Sequence, residues 1–283
     1  MKRDDIDAFV VFDADNIVDD QFLKEMNKAI VAGDHVAMGL RDSKNPTETY
    51  MSSAYSVFYM AVNIFYNQPR RALGMNSLIS GTGFMFTKDV IKKLGGWETY
   101  TITEDVEFTI QASLIGEHIA FVPTAVIYDE QPTTLSQSWH QRIRWSVGSQ
   151  QNLKLHGKDT LKDAFEQKGR DGFDMFIMLL ATHMQVMTVI ASAIGLFTMF
   201  LTLRFEYFLL NMVGLLAGAF LFPTIVGFFA IKYRKQEIRP MLKGILTFWF
   251  FLLTWMPIHV IALFKKRVTW REIAHKPTNE IQE

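Results

Sequence analysis

Three short motifs in this 283-residue chain hold side chains whose types and spacing suit chemistry. The first is Asp13-Ala14-Asp15, two carboxylates one residue apart. Residues 6–12 before it are β-branched and aromatic, which predicts a buried strand ending in an acidic turn. Hard carboxylate oxygens there suit Mg²⁺ or Mn²⁺, ions that commonly bridge to a substrate diphosphate. Open α/β sheets bind ligands beyond the carboxyl ends of their strands. A solvated acidic turn accounts for the same residues.

The second motif is Thr103-Glu104-Asp105. Asp105 could be a general base held at a helix start. Equally, Thr103 could cap that helix, Thr101 with Glu104 fits a capping box, and the two acids complement the helix dipole. The third is Gln141-Arg142-Ile143-Arg144-Trp145. Gln141, Arg144 and Trp145 are three and four residues apart and share a helical face. A guanidinium fork matches phosphate oxygens, and an indole offers a platform for a sugar ring or a lipid boundary. The competing reading is an interfacial helix, with Trp139 and Trp145 anchored at headgroups and Arg142 and Arg144 snorkelling outward.

The elements that must position these groups alternate between strand and helix. Helical spacing over residues 19–31 ends at Gly33, and residues 35–40 read as the next strand. Residues 47–66 predict a helix rich in aromatics and Met. Ser80-Gly81-Thr82-Gly83 is a turn into a strand at 84–86, and residues 89–94 form a short helix closed by Gly95-Gly96. Helices are predicted over 103–115 and 135–155, short strands over 118–122 and 125–128, and a polar linker over 156–172. The alternation predicts an α/β sheet with covering helices.

Composition sets the surroundings. The chain has no Cys, which excludes disulfides, thiolate metal sites and a Cys nucleophile. Residues 1–172 carry 18 Lys+Arg against 23 Asp+Glu, and residues 173–283 carry 11 against 6. A basic, apolar second part points to a membrane, and the first part has no basic stripe for nucleic acid. Apolar stretches at 173–203, 207–231 and 244–264 are each long enough to cross a bilayer. Asp174 is the only acid in the first, and His183 there predicts a partner on a neighbouring helix or backbone. Basic residues flank the third stretch on both sides: Lys232, Arg234, Lys235, Arg239 and Lys243 before it, Lys265, Lys266 and Arg267 after it. A full crossing would put these flanks on opposite sides, against the preference of positive residues for the cytoplasm. Pro257 within the stretch allows a kink or a re-entrant course.

Taken in order, D-x-D, S-G-T-G, Gly95-Gly96-Trp97, T-E-D, Q-x-x-R-W, membrane helices and the Trp270 tail, the chain resembles the membrane-embedded glycosyltransferase family 2, including cellulose, hyaluronan and poly-N-acetylglucosamine synthases. The resemblance implies a partial GT-A (Rossmann-like) domain over 1–134, an interfacial helix and linker over 135–172 and a transmembrane region over 173–283. It implies that Asp13 and Asp15 hold Mg²⁺ or Mn²⁺ on the diphosphate of a UDP-sugar, and that Asp105 is the general base. It assigns Gln141, Arg144 and Trp145 to the diphosphate, and Gly81, Thr82, Gly83, Glu104 and Trp145 to the acceptor. The implied reaction is inverting transfer to a β-linked polysaccharide, with a lipid-linked acceptor as the alternative. A multi-pass protein of the cell membrane with its catalytic domain in the cytoplasm follows, with membrane lipid and an accessory membrane subunit as partners. Family members begin with a strand–helix–strand portion bearing uridine-binding aspartates; here the D-x-D strand opens the chain, as expected of an N-terminally truncated member or a non-catalytic fragment.

Overall fold

A computed structural model describes residues 5–166, 170–202, 205–265 and 268. Lys266, Arg267 and Trp270 lie outside the described residues. The elements run β1 (Ala8–Val11), β2 (Ile17–Val18), α1 (Phe22–Val31), β3 (Val36–Ser43), α2 (Tyr50–Val62), α3 (Gln68–Ala72), β4 (Phe84–Thr87), α4 (Lys88–Leu94), α5 (Glu104–Leu114), β5 (Ile119–Asp129), α6 (Leu135–Glu166), α7 (Arg170–Thr202), α8 (Phe205–Tyr233), α9 (Ile238–Leu253) and α10 (Trp255–Phe264).

The sheet order is β1-β4-β3-β5-β2. β4 is antiparallel to both β1 and β3, and β3 is parallel to β5. Strands β1, β3 and β5 therefore run the same way, and their carboxyl ends meet the amino end of β4 along one edge. The alternating side chains fill two layers. Val36, Met38, Phe84 and Phe86 pack with α4 and α5 on one face, and Ala37, Met85 and Ile127 pack with α1 on the other.

Several expectations are refined. The two short strands over 118–122 and 125–128 are one strand, β5, with a register irregularity opposite Gly39/Leu40. Pro123 lies within it and cannot donate to the ladder, so the pairing skips past it. The predicted helix over 47–66 is α2, opened by a Thr49–Ser52 capping box. It continues through a π-helical stretch, Asn63–Asn67, into α3. The predicted linker from residue 156 is helical to Glu166, because its inner face finds cover: Gly157 and Thr160 are buried.

Three segments are long and apolar enough to cross a membrane: Asp171–Thr202, Phe205–Tyr233 and Ile238–Phe264. Asp174 is not left alone among apolar groups. Arg70 grips it from α3 at 2.5 and 2.8 Å, with its guanidinium stacked over the Tyr66 ring. The Nδ1 of His183 is buried without a hydrogen bond among the described residues. The third segment breaks at Thr254, between α9 and α10.

Helix α9 packs on α2 through Met241, Ile245, Phe248 and Phe251, which meet Met51, Tyr55 and Val57. The approach is close at Gly244, where an added Cβ would lie 2.6 Å from the Ser53 carbonyl oxygen. Gly218, on the exposed face of α8, has open space around it. Gly244→Ala should therefore lower stability by about 1–3 kcal/mol through overpacking. Gly218→Ala should leave it unchanged or raise it by up to about 1 kcal/mol through helix propensity. Thermal unfolding of the two variants in detergent checks the contrast.

Candidate active site

The strand ends and α6 enclose a cleft of about 840 Å³. Asp13, Asp15, Gly81, Glu104, Asp105, Gln141, Arg144 and Trp145 all line it, and they come from four separate stretches of chain. Thr82 and Gly83 do not line it. Thr82 is fully buried behind the wall, where its hydroxyl accepts from the Asp13 N–H at 3.0 Å and donates to the Asn16 side chain. Gly83 backs onto Ile127. These two residues support the acidic turn from behind.

The acidic turn acquires a third carboxylate, one that the sequence reading passed over. Asp129 ends β5, and Asp13, Asp15 and Asp129 each bring one oxygen within 4.8 Å of the others. Its place at a strand end was the available signal, but nothing near it in sequence pairs it with Asp13. The pairing is tertiary. Arg41 Nε donates to Asp129 at 2.9 Å, and Arg41 Nη1 donates to the Ser80 carbonyl at 2.7 Å. Asn16 and Gln131 also donate to Asp129, at 2.9 and 3.1 Å. Burial and the negative charge of Asp129 raise the Asp13 carboxyl above its ordinary range, against the opposing pull of Arg41. Lys44, itself buried, pairs with Glu130 at 2.8 Å and donates to the Asp15 carbonyl at 2.8 Å, fixing the turn from below.

Asp105 sits in the first turn of α5, beside Gly81. The left-handed φ of Gly81, +83°, lets the chain turn there, and a Cβ at Gly81 would come 3.7 Å from Asp105 Oδ2. Burial pushes the Asp105 carboxyl up to about 6, against the lowering effect of the Val106 backbone N–H, and the nearby Glu104 adds to the rise. The predicted capping role of Thr103 is absent, since its side chain makes no cap hydrogen bond. The physical reason is a tertiary competitor. Asn152 of α6 donates to Thr103 Oγ1 at 3.0 Å, and Gln151 accepts from the Ile102 N–H at 3.0 Å. Gly148 of α6 lies against the same residue, so that an added Cβ would be 2.3 Å from Thr103 Oγ1. Fully buried Glu107 takes the N–H groups of Tyr100 and Thr101 at 2.8 and 2.7 Å and meets His156 of α6 at 3.2 Å.

The same helix turns Gln141, Arg144 and Trp145 into the cleft. Gln141 Oε1 is buried without a hydrogen-bond partner among the described residues, an acceptor with unmet capacity at the cleft wall. Trp145 stacks on Trp255 at 6.1 Å and meets Tyr55 edge-on at 6.3 Å, so its ring is held from behind. Trp139 packs with Ile143, Val147, Ile258 and Ala262 against α10. Arg142 does not snorkel outward: it is 0% exposed. It donates to the Phe251 carbonyl at 2.9 Å and to Thr254 Oγ1 at 2.8 Å, and lies over the rings of Phe251 and Trp255. The donation to the Phe251 carbonyl satisfies backbone near the point where α9 breaks from α10.

A family model described as glycosyl transferase family group 2 matches residues 8–265. The chain is 30% identical over 204 residues to a probable glycosyltransferase, YdaM, of Bacillus subtilis, covering 68% of this chain and 47% of that protein. It is 25% identical over 238 residues to a beta-monoglucosyldiacylglycerol synthase of Nostoc, covering 78% and 48%. It is 29% identical over 116 residues to a poly-beta-1,6-N-acetyl-D-glucosamine synthase of Staphylococcus aureus, covering 41% and 26%. The chain spans about half the length of the first two of these relatives. With most of its length matched and its acidic and basic motifs gathered in one cleft, the chain belongs to the group 2 glycosyltransferases.

Proposed function

We propose that the cleft transfers a sugar from a UDP-sugar to an acceptor hydroxyl, with inversion at the anomeric carbon, and that the acceptor is a growing β-linked polysaccharide. The observation that carries this reading is the convergence of Asp13, Asp15, Asp105, Gln141, Arg144 and Trp145 on one cleft. Asp105 is the base: a carboxyl raised to about 6 is ionised at neutral pH yet retains proton affinity. Gln141 and Arg144 hold the leaving diphosphate, with Arg144 offering a planar fork to its oxygens. Trp145, braced by Trp255 and Tyr55, is a platform for the acceptor sugar. A single displacement needs no covalent nucleophile, and an α-linked donor gives a β-linked product.

The donor set supports a divalent cation. Three carboxylates offer oxygens within 4.8 Å of one another; burial first, and then the charges of Asp129 and Asp15, raise the Asp13 carboxyl, and hard oxygens suit Mg²⁺ or Mn²⁺. Asp13, Asp15 and Asp129 would hold the ion, which when bound supplies charge to stabilise the leaving diphosphate. The catalytic part faces the cytoplasm, the side that basic flanks such as Lys232 and Arg234 favour.

A lipid acceptor is the second reading, favoured by the apolar wall that Phe58, Val62, Trp145 and Val268 give the cleft. The two readings differ in product. Radiolabelled sugar in membranes should appear in a high-molecular-weight fraction; recovery only in a solvent-extractable glycolipid would select the lipid acceptor.

Further outcomes follow from the site. The transfer rate should rise with pH through about 6 as Asp105 ionises, and fall away below it. Asp105→Asn should remove that limb and cost about two to four orders of magnitude in rate. Because the fold disfavours the charged form of Asp105, the variant should unfold at the same or a higher temperature at pH 7; a lower one with activity kept would return Asp105 to helix capping. Asp15→Asn should largely abolish transfer and shift the Mn²⁺ concentration needed for half-maximal rate upward; an unchanged metal response would remove Asp15 from the site. Gly148→Ala, which drives a methyl into Thr103, should lower kcat by about 10–100-fold with KM little changed, since misplacement of a reacting group costs rate more than binding.

A further inference from the structure

Arg41 is a buried cation in the cleft wall, and both edges of its guanidinium are in use. Along one edge, Nε and Nη2 donate to Asp129 Oδ2. From the other, Nη1 donates to the Ser80 carbonyl at 2.7 Å. The identity of the two partners matters more than the pairing itself. Asp129 is one of three carboxylates with oxygens within 4.8 Å of one another. Ser80 precedes Gly81, the turn beside Asp105. A Cβ at Gly81 would lie 3.7 Å from Asp105 Oδ2 and 3.9 Å from Arg41 Nη1, so the carboxylate and the guanidinium flank one backbone position.

The surroundings hold the guanidinium still. It lies 4.3 Å from the centre of the Tyr59 ring of α2. One turn further along, Asn63 Nδ2 donates to the Arg41 carbonyl at 2.9 Å. On the far side, Gln131 also donates to Asp129 Oδ2, at 3.1 Å, so that oxygen is filled. Asp129 Oδ1 accepts from Asn16 at 2.9 Å and keeps capacity for a further ligand. Burial raises the carboxyls of Asp13 and Asp105, and the charge of Arg41 works against that rise at both. A planar guanidinium can hold two acceptors at a fixed separation, which a single ammonium cannot do.

We propose that Arg41 is a positioning residue that spans the reaction site. One edge presents Asp129 Oδ1 to the divalent cation, and the other holds the Ser80–Gly81 turn against Asp105. This role rests on the reading of the three carboxylates as the cation site and of Asp105 as the base. The spacing between cation and base is then set by one rigid side chain that touches neither reactant.

Arg41→Lys tests the span, because lysine keeps the charge but reaches one partner at a time. Mn²⁺ binding to the purified protein in detergent is read from the electron paramagnetic resonance of the free ion, without turnover. The parent protein should bind. Arg41→Lys should bind about 10–100-fold more weakly, the usual cost of losing a group that orients a metal ligand. Asp129→Asn should also weaken binding, and adding Arg41→Lys to it should change the affinity by no more than a factor of about two. At Mn²⁺ concentrations that saturate each protein, kcat of Arg41→Lys should still be about 10–100-fold lower with the donor KM little changed, since the turn beside Asp105 is released. If Arg41→Lys folds poorly, Tyr59→Leu removes just the ring beneath the guanidinium, and should weaken Mn²⁺ binding about two- to five-fold in a folded protein. A lower Tm with Mn²⁺ affinity and kcat unchanged would make Arg41 a framework residue and overturn the proposal. Loss at one of the two sites alone, or losses that multiply in the double variant, would overturn it as well. A parent protein that fails to bind Mn²⁺ would overturn the cation reading itself, so the two failures are distinct.

Discussion

The contact between Gly148 and Thr103 sets the geometry of the whole cleft. Helix α6 passes so close to the loop before Asp105 that a methyl group at position 148 would fall within 2.3 Å of the Thr103 hydroxyl. That approach lets Asn152 and Gln151 take up Thr103 Oγ1 and the Ile102 N–H, and lets His156 meet Glu107. The start of α5 is thereby fixed by another helix and not by its own cap. Seven residues upstream of Asn152 the same rigid rod delivers Trp145, and one residue further upstream Arg144. One element thus holds Asp105, Arg144 and Trp145 in a common frame.

The other side of α6 carries the link to the membrane. Arg142 is a buried cation with no carboxylate in ion-pair distance among the described residues. Burying it costs free energy that a neutral residue would not incur. Donation to the Phe251 carbonyl and Thr254 hydroxyl, and the faces of Phe251 and Trp255, offset part of that cost. The arrangement serves geometry: it stabilises the break between α9 and α10, which brings Trp255 behind Trp145. The apolar segment and the cleft residues Gln141, Arg144 and Trp145 are therefore mechanically continuous through two turns of one helix.

Much of this is legible in sequence. Residues 6–12 read as a strand because branched and aromatic side chains dominate them, and the acid pair beyond them lies at the carboxyl-end edge where open α/β sheets generally bind ligands. The shared face of Gln141, Arg144 and Trp145 follows from the helical period alone. What escapes is set by distance along the chain. Asp129 joins Asp13 only because β3 and β5 are parallel and Arg41 ties their ends together. Thr103 has every local feature of a cap, and local rules cannot anticipate that Asn152 takes its hydroxyl. Arg142 has the composition of a snorkelling residue on a polar helix face; a carbonyl freed by a break more than a hundred residues later draws it inward. The resemblance assigns Thr82 and Gly83 to the acceptor together with Gly81, yet the turn sets Thr82 against Asn16 and Gly83 against Ile127.

The claim that α6 acts on chemistry through the position of Asp105 is tested most directly by a double-mutant cycle on kcat. Gly148→Ala, Asp105→Asn and the double variant are compared with the parent protein in the same membranes. If Gly148 matters only because it places Asp105, the loss in the double variant should equal that of Asp105→Asn alone, within a factor of about two. Losses that multiply would show that the two residues act independently, and would contradict the account.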